Sequence, residues 1–514
     1  MNSRSQTQLT SASHESSDRY HTRDLPQRGQ RYSATSESFS SQNCYSGNLD
    51  FFFEDLLSPG PSDRLHAIEK MPRQKGACRY IYEPQRDGLI DPDTPKNART
   101  RRGFDGDEYE LVFSDEFNLD GRTFWPGDDP FCDQEWYDPD AAITRGGYLV
   151  ITLSEMDAAI NHNLDYRSAM VSSWNKLCFT GGYLEVSLIL PGTNDVGGFW
   201  PAAWMMGNLA RAGYGGTSDG LWPFSYNSCD VGAMPNQTDP KTGAPGPSVL
   251  TSRGDLSWQP GQRLSRCTCQ GEDHPGPKNP DGSYKGRASP EIDILEAYSY
   301  EKTSTGYASQ SLQIAPYDAN RQWREEEGVT FKRYTSPGTT TTSNTYHGGT
   351  RQQTISFLST IPTSNYELMG NETLSYGTEW VPDEPNSHIT WSMADNPTWT
   401  LNSTGLGPNS RSMVGERLVS NEPMYLILNL GISDTFVPIN KAELKFPGHM
   451  LVDYVRVYQP KGKKDVGCSP KEYPTEDYIN RHMNAFTNAN ITTWAQANTT
   501  FPKNSVMDGC AQPS

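Results

Sequence analysis

The sequence lacks any apolar run long enough to cross a bilayer as a helix. Nowhere in its 514 residues does an apolar stretch approach the roughly 18 residues that a transmembrane helix needs. The amino-terminal segment MNSRSQTQLTSASHESSDRYHTRD has no apolar core, so it is not a signal peptide. Basic residues cluster only in the short run ARTRRG, and the formal net charge is −18. This charge argues against nucleic acid, or an anionic membrane surface, as the main partner.

Helical periodicity is almost absent from residue 108 onwards. Gly and Pro are abundant and aromatic residues make up 11% of the chain, which is typical of an all-β protein with long loops. Surplus Trp and Tyr also suit carbohydrate binding, but most of them are expected in the core. Twelve runs with strand character predict a β-sandwich or a β-barrel: YELVFS, GYLVITLS, SAMVSSW, GGYLEVSLIL, GGFWPAAWMM, EIDILEA, GYASQSLQIA, QTISFLS, YGTEW, HITWSM, PMYLILNLGI and HMLVDYVRVYQ.

Composition divides the chain into four segments. Residues 1–75 are Ser-rich and polar and are predicted to be a disordered tail, followed by a lead-in at 76–107. Residues 108–460 form the predicted β-domain, interrupted by long insertions at about 208–288 and 315–350. A small extension at 461–514 contains a predicted short helix near 476–488. Cys468 and Cys510 are the disulfide candidates for closing this extension.

The cysteines and sequons favour a secretory-pathway protein. The chain has nine Cys and five N-x-S/T sequons, which make glycosylation candidates of Asn236, Asn371, Asn402, Asn490 and Asn498. Cys267 and Cys269 lie near His274, but the second ligand pair of a metal site is missing, which favours disulfides. The absence of an entry signal conflicts with this interpretation. An incomplete amino-terminal segment and an unconventional route remain alternatives.

The stretch SPEIDILEAY at 289–298 carries three acids in a strand-like run. Glu291 and Asp293 share a face of a regular strand, whereas Glu296 falls on the opposite face. A β-bulge at Ile294–Leu295 shifts the alternation by one residue and brings all three acids to one side. The Cα atoms of Glu291 and Glu296 then lie roughly 13 Å apart. Their side chains can converge to the about 5–5.5 Å that is typical of a retaining glycosidase.

Convergent carboxyl groups have a definite chemistry. Neighbouring negative charges raise at least one pKa, so that one acid stays protonated near neutrality while another acts as a nucleophile. Asp293, between the two Glu residues, can hold the nucleophile's rotamer through a hydrogen bond. The alternatives are a solvated edge strand whose acids discourage aggregation, or a cation site.

These motifs resemble a known family. EIDILE resembles the bulged catalytic motif of glycoside hydrolase family 16, the β-jelly-roll glucanases. LVFSDEFNLDG, GGYLEVSLILPG, GGFWPAAWMMGN, YGTEWVPD and VDYVRVYQP follow in that family's order. The lead-in DGLIDPDTP, the insertion LWPFSYNSCDVGAMPNQT and the tail YPTEDYINRHMNAFTNANITTW resemble the fungal β-glucan synthesis-associated proteins. The resemblance covers residues 80–514.

The resemblance implies an antiparallel β-sandwich of the jelly-roll type and a role for each acid. It makes Glu291 the nucleophile, Asp293 its assisting acid and Glu296 the acid/base. Trp200, Trp391 and Trp222 are candidates for binding sugar in the cleft. The implied location is the secretory pathway or plasma membrane, with a lumenal or extracellular catalytic domain behind a cytosolic tail and a membrane helix, and no such helix is detectable here. No cofactor is expected: RDGLIDPDTP at 86–95 faintly resembles a calcium loop but lacks acids at the first and third ligand positions and the closing Glu.

Three functional hypotheses follow. The first is a retaining enzyme that hydrolyses or transfers β-glucan chains during synthesis of cell-wall β-1,6-glucan. The second is a non-hydrolytic glucan-binding scaffold that supports a glucan synthase. A lectin-like protein using the acids as calcium ligands is a third. The expected partners are β-glucan poly- or oligosaccharides and the glucan-synthesis machinery.

Overall fold

The computed structural model describes residues 88–125, 133–134, 137–224, 227–230, 262–315, 323–348, 352–382, 385–409, 414–434 and 436–510. The predicted disordered tail, the sequon at Asn236 and much of the first insertion lie outside these residues. In the part of the chain that is described, no helix is long and apolar enough to span a membrane.

Strands dominate the described residues, as predicted. In chain order they are β1 (Thr100–Arg102), β2 (Glu108–Asp115), β3 (Asp133–Gln134), β4 (Ala142–Arg145), β5 (Tyr148–Glu155), β6 (Tyr166–Arg167), β7 (Met170–Ser172), β8 (Cys178–Phe179), β9 (Gly182–Ile189), β10 (Phe199–Gly207), β11 (Glu291–Tyr300), β12 (Thr305–Ile314), β13 (Phe331–Arg333), β14 (Thr341–Ser343), β15 (Gln353–Ile361), β16 (Leu374–Val381), β17 (His388–Met393), β18 (Asn396–Asn402), β19 (Met424–Ile432) and β20 (Gly448–Pro460). Each of the twelve predicted runs overlaps one of these strands. Most of the strands that sequence patterns missed have only two to four residues, too few to show a period of two.

The strands form two antiparallel sheets. The first runs in the order β1-β2-β20-β9-β16-β17-β18-β13, with β5 also paired to β20 and joined by β4 and β6. The second runs β14-β15-β12-β11-β10-β19-β7-β3, with β8 paired to β19. A single large apolar cluster takes residues from both, such as Leu184 and Val186 of β9 and Met205 and Ile292 of the second sheet. The protein is therefore an all-β sandwich of the jelly-roll type, as predicted.

Alternation along the strands decides which side chains enter the core. Ile292 of β11 and Ala203 and Met205 of β10 are fully buried between the sheets. Residues one position away on the same strands point to the opposite face of the second sheet. We call that outer surface the site face, because Glu291 and Asp293 lie on it.

The extension contains two short helices instead of one. They are α2 (Glu476–Arg481) and α3 (Met483–Thr487); α1 (Gly215–Ser218) lies in the first insertion. Tyr478 and Trp494 of the extension pack with Leu209, Leu221 and Leu264 of the insertion. The two irregular regions therefore share a small apolar core outside the sandwich.

The disulfides correct one prediction. Cys468 pairs with Cys178 of β8, and Cys510 pairs with Cys269, so the two extension cysteines do not close the extension on itself. The physical reason is that the extension lies against the sandwich and the insertion, which brings each of its cysteines beside one of theirs. Cys267 pairs with Cys229. The Cys267-x-Cys269 motif thus forms disulfides, as the sequence favoured.

Candidate active site

β11 contains the predicted bulge. Against β12, Glu291 pairs with Gln313, Asp293 with Ser311 and Glu296 with Ser309, so two residues of β11 oppose one of β12 between the acids. The pairing with β10 shifts at the same place, where Trp204 opposes Asp293 and Ala203 opposes Leu295. Ile292, Ile294 and Leu295 are all fully buried in the core. The bulge therefore lets β11 bury its apolar residues and still place all three acids on the site face.

Side chains inside the core hold the bulge in place. Gln310 Nε2 donates to the carbonyl oxygen of Ile294 at 3.3 Å, and Thr398 Oγ1 donates to Gln310 Oε1. Trp391 Nε1 donates to the carbonyl oxygen of Asp293 at 2.8 Å. The backbone oxygens that the bulge removes from the ladder thus find buried partners, as buried polar groups require.

This position of Trp391 corrects its assignment to sugar binding. Its side chain is 0% exposed and stacks on Trp399 at a centroid distance of 4.0 Å. It lies on β17 of the first sheet, whose core-facing side chains are covered by the second sheet and cannot reach a ligand. Trp391 instead supports β11 from the core side.

Asp293 is held by donors from the neighbouring strand. Its Oδ2 accepts from Ser311 Oγ at 2.7 Å and from Gln313 Nε2 at 2.9 Å. Thr354 Oγ1 of β15 in turn donates to Gln313 Oε1. Sequence reasoning missed these residues. The visible signal was the alternation Ser309, Ser311, Gln313 in β12, which places three polar side chains on one face.

Each Glu accepts a hydrogen bond from an indole. Trp222 Nε1 donates to Glu291 Oε2, and Trp200 Nε1 donates to Glu296 Oε1 at 3.0 Å. The Trp200 ring stacks on Phe436 with centroids 4.2 Å apart. The structure therefore brings Trp200 and Trp222 to the site with the three acids, and Trp222 reaches it from the first insertion.

Burial raises the pKa of all three carboxyl groups. For Glu296 burial, reinforced by the charge of Asp293, raises the pKa to about 8 against the opposing effect of the Trp200 hydrogen bond. Burial and the neighbouring charges of Asp293 and Glu296 raise the pKa of Glu291 well above its ordinary value, opposed by Trp222. Burial also raises the pKa of Asp293, opposed by Gln313 and Ser311. Burial thus outweighs the charge repulsion that sequence reasoning emphasised.

A cavity of about 700 Å³ opens beside the acids. Glu291 and Glu296 line it together with polar residues of β12 and β15, including Ser309, Gln313 and Thr354. Aromatic rings also line it, among them Trp200, which contacts Glu296, and Tyr298, Tyr307 and Phe436. A protonated acid, a second carboxyl group and aromatic rings around one cavity are the groups that retaining hydrolysis or transfer of a glycoside requires. Among the described residues no cluster of three or more His, Cys, Asp or Glu could hold a metal ion.

The described sequons differ in exposure. Asn490 and Asn498 are exposed, as a glycan acceptor requires. Asn402 is half-buried and its Nδ2 donates to the carbonyl oxygen of Val329, while Asn371 is only 8% exposed. Glycosylation at these positions stays a prediction, and the first two sites fit it better than Asn371.

Comparison with known proteins places the chain in a family. A sequence model described as "Beta-glucan synthesis-associated protein SKN1/KRE6/Sbg1" matches residues 66–510. The chain is 46% identical over 438 residues to the β-glucan synthesis-associated protein KRE6 of Saccharomyces cerevisiae, covering 83% of this chain and 57% of that protein. It is 47% identical over 455 residues to SKN1 of the same yeast, covering 85% and 55%. The chain thus spans little more than half the length of these relatives.

The solved structures that this chain matches include the catalytic domain of an endo-1,3-β-glucanase (laminarinase) from Thermotoga petrophila RKU-1. It matches with a TM-score of 0.39 and 18% identity, covering 69% of this chain and all of that one. The family assignment does not depend on this match, because the sequence model alone spans most of the chain. The protein belongs to the β-glucan synthesis-associated SKN1/KRE6/Sbg1 family.

Proposed function

We propose that this chain is a retaining enzyme that hydrolyses or transfers β-glucan chains during assembly of cell-wall β-1,6-glucan. The observation that carries the proposal is the bulge in β11, which places Glu291, Asp293 and Glu296 on one face beside an open cavity. A protein that only binds glucan has no need for a buried acid that is protonated at neutral pH. The family's description supports a role in β-glucan synthesis.

In the first step the Glu291 carboxylate attacks the anomeric carbon of a bound sugar. Glu296 donates its proton to the glycosidic oxygen as the bond between that oxygen and the anomeric carbon breaks. The products are a glycosyl ester on Glu291, a Glu296 carboxylate and a free leaving chain. The raised pKa of Glu296, about 8, keeps it protonated and ready to donate at neutral pH.

The attacking carboxylate must be charged, although burial disfavours that form. The Trp222 N–H favours the anion of Glu291. Asp293 forms a side-chain hydrogen bond with Glu291, which raises the pKa of Glu291 and lowers that of Asp293 in the absence of substrate. Oδ2 of Asp293 is occupied by Ser311 and Gln313. Attack by Glu291 therefore requires the proton that the two acids share to lie on the Asp293 oxygen that does not contact Ser311 and Gln313, from which Asp293 donates to the Glu291 carboxylate and holds it in position.

In the second step Glu296, now a carboxylate, removes a proton from an incoming hydroxyl group. The oxygen of that group attacks the anomeric carbon, and Glu291 leaves as a carboxylate. Water gives hydrolysis, whereas a sugar hydroxyl gives a new glycosidic bond. The aromatic rings that line the cavity support binding of a sugar acceptor, because sugar C–H faces pack on such rings, and this favours transfer.

The proposed location is the lumenal or extracellular side of the secretory pathway. Three disulfides in the described residues support it, because such bonds persist in oxidising compartments.

The test uses the full chain produced through the secretory pathway of a host. The wild type, Glu291→Gln and a matched control, Glu155→Gln, are incubated with linear β-1,3- and β-1,6-gluco-oligosaccharides, and products are read by mass. Glu155 is an exposed acid of the first sheet. We expect products longer than the substrate from the wild type and Glu155→Gln, and none from Glu291→Gln. Binding without any product in all three proteins would refute the enzyme and favour the scaffold.

A further inference from the structure

The site face is built differently on the two sides of β11. Residues directly opposite each other on paired strands share a face. Met206 of β10 opposes Glu291, Tyr425 of β19 opposes Met206, and Cys178 of β8 opposes Tyr425. This row lies on the site face and is buried, and none of its three side chains lines the cavity. Trp204 lies on the same face of β10, two residues before Met206. Ile427 of β19, which opposes Trp204, is also 0% exposed. We call this part of the site face, on the β10 side of Glu291 and Asp293, the closed flank; farther along β10, beside Glu296, Trp200 lines the cavity.

The first insertion covers the closed flank. Ala210 and Ala212 pack on Met206, Tyr425 and Ile427 in one apolar cluster, with Trp222 at its edge. Tyr425 Oη donates to the carbonyl oxygen of Ala210 and accepts from the backbone N–H of Ala212. Trp222 then reaches Glu291 itself. The segment 208–224 therefore forms a wall that ends at the catalytic acid.

The carboxyl-terminal extension fixes the wall in place. Asn208 Nδ2 donates to the carbonyl oxygen of Cys468 and to Thr475 Oγ1. The Cys178–Cys468 disulfide ties the same point to β8. Trp174 stacks on Phe486 of α3, with centroids 5.5 Å apart. Because the extension anchors it through hydrogen bonds, a disulfide and ring stacking, the wall is a permanent element of the fold.

The other side of β11 is open by comparison. Here the site face carries Tyr307, Ser309 and Gln313 of β12 and Thr354 and Leu358 of β15, and all of them line the cavity. Polar side chains and aromatic rings replace the buried apolar row. We call this side the open flank.

We propose that the site takes a β-glucan chain by its non-reducing end, because the wall leaves room for only a short donor segment beyond Glu291. The inference rests on the proposed function. The sugar that Glu291 attacks lies over Glu291, and on the β10 side of that position the site face is occupied by Met206 and closed by Trp222. The leaving chain lies beside Glu296, where Trp200, Tyr298 and Phe436 line the open cavity. An internal segment of a long chain would have to pass through the wall.

Calorimetry on the full-length Glu291→Gln variant tests this without turnover. Four ligands are compared in each linkage, β-1,3 and β-1,6: a linear glucopentaose, the same chain with a bulky fluorophore at its reducing end, the same chain with a bulky acetal on its non-reducing ring, and a cyclic β-glucan, which has no ends. We expect the first two to bind within about threefold of each other. The last two should bind at least about thirtyfold more weakly, since a steric clash cannot be relieved by a fixed wall.

Two results would overturn the inference. One is binding of the cyclic glucan or the acetal-blocked chain at the affinity of the linear chain. The other is weaker binding of the fluorophore-blocked chain alone, which would place the wall on the leaving-chain side. Trp222→Ala is the second variant: removing the ring at the end of the wall should improve binding of the acetal-blocked chain about tenfold or more, and unchanged exclusion would contradict the role of Trp222.

The results also distinguish failure of the proposed function from failure of this inference. If the binding pattern holds but the wild-type protein leaves every linear chain unchanged, the end-binding pocket stands and the enzyme fails. If no linear chain binds, both fail.

Discussion

The open and closed flanks of β11 belong to the same sheet, yet one lines a cavity and the other is packed under an insertion. On the open flank the strands β12 and β15 carry polar residues and rings that line a cavity. On the closed flank the equivalent positions of β10 and β19 carry Met206, Tyr425 and Ile427, buried under segment 208–224. Segments outside the sandwich therefore decide how much of the site face a ligand can reach, while the sandwich supplies the acids.

Substitution of the proposed catalytic acids should have the largest effect, because both reaction steps depend on them. Glu296→Gln removes the proton donor for the leaving chain, and general acid catalysis contributes about 10²–10⁴-fold. We expect kcat on linear oligosaccharides to fall within that range. Aryl glycosides with a good leaving group need less protonation and should recover much of the first step. An equal loss on both substrates would contradict the assignment of Glu296 as the acid.

The next largest effect should be a loss of stability when the anchor of the closed flank is removed. Cys468→Ser removes the disulfide that ties the extension to β8 across a sequence separation of 290 residues. Removing such a crosslink costs about 2–5 kcal/mol of the free energy of unfolding. Denaturant unfolding measures this against Lys471→Ser, an exposed position in the same extension. Equal stability of the two variants would show that the wall does not depend on this anchor.

Substitution of an aromatic residue on the open flank should instead weaken substrate binding. Tyr307 lines the cavity beside Tyr298, and an aromatic contact contributes about 1 kcal/mol beyond its buried area. Tyr307→Ala should raise KM about five- to tenfold with little change in kcat. Tyr307→Phe keeps the ring and should resemble the wild type. A KM unchanged by Tyr307→Ala would place the substrate elsewhere.

The smallest expected effect is a shift in pH dependence. Activity requires protonated Glu296, so kcat/KM should fall as pH rises through about 8. Trp200 N–H stabilises the charged form and lowers that pKa; Trp200→Phe removes the donor and should move the alkaline limb upwards. The shift should be on the order of one pH unit, since a hydrogen bond to a charged group contributes about 1.5 kcal/mol. A limb that moves downwards would contradict this role of Trp200.

The acids and the strands around them were largely predictable from sequence, whereas most of the side chains that line the open flank or cover the closed flank were not. The broken alternation of Glu291, Asp293 and Glu296 predicts a bulge at Ile294–Leu295, because only one extra residue restores the common face. The strands that a period of two reveals are present, and the jelly-roll sandwich follows from them. Local patterns suffice for these features because each depends on residues that are neighbours in sequence.

The remaining features depend on contacts between distant segments. Trp391 and Gln310 support β11 through the core, and nothing in their own strands marks them for that task. The partners of Cys468 and Cys510 depend on how the extension lies against β8 and the insertion. The pKa values depend on burial, which a strand pattern does not measure. Three-dimensional packing decides each of these.

Trapping the covalent intermediate tests the central claim most directly. The full-length wild type and Glu291→Gln are incubated with 2-deoxy-2-fluoro-glycosyl fluorides of short β-1,3- and β-1,6-glucosides. The fluorine slows both steps, and the fluoride leaving group lets the first proceed. We predict that the wild type gains the mass of one glycosyl group, located by peptide mapping on Glu291, and that Glu291→Gln gains none. Turnover of linear glucan by a protein whose Glu291 stays unlabelled, or a label on another residue, would contradict the account.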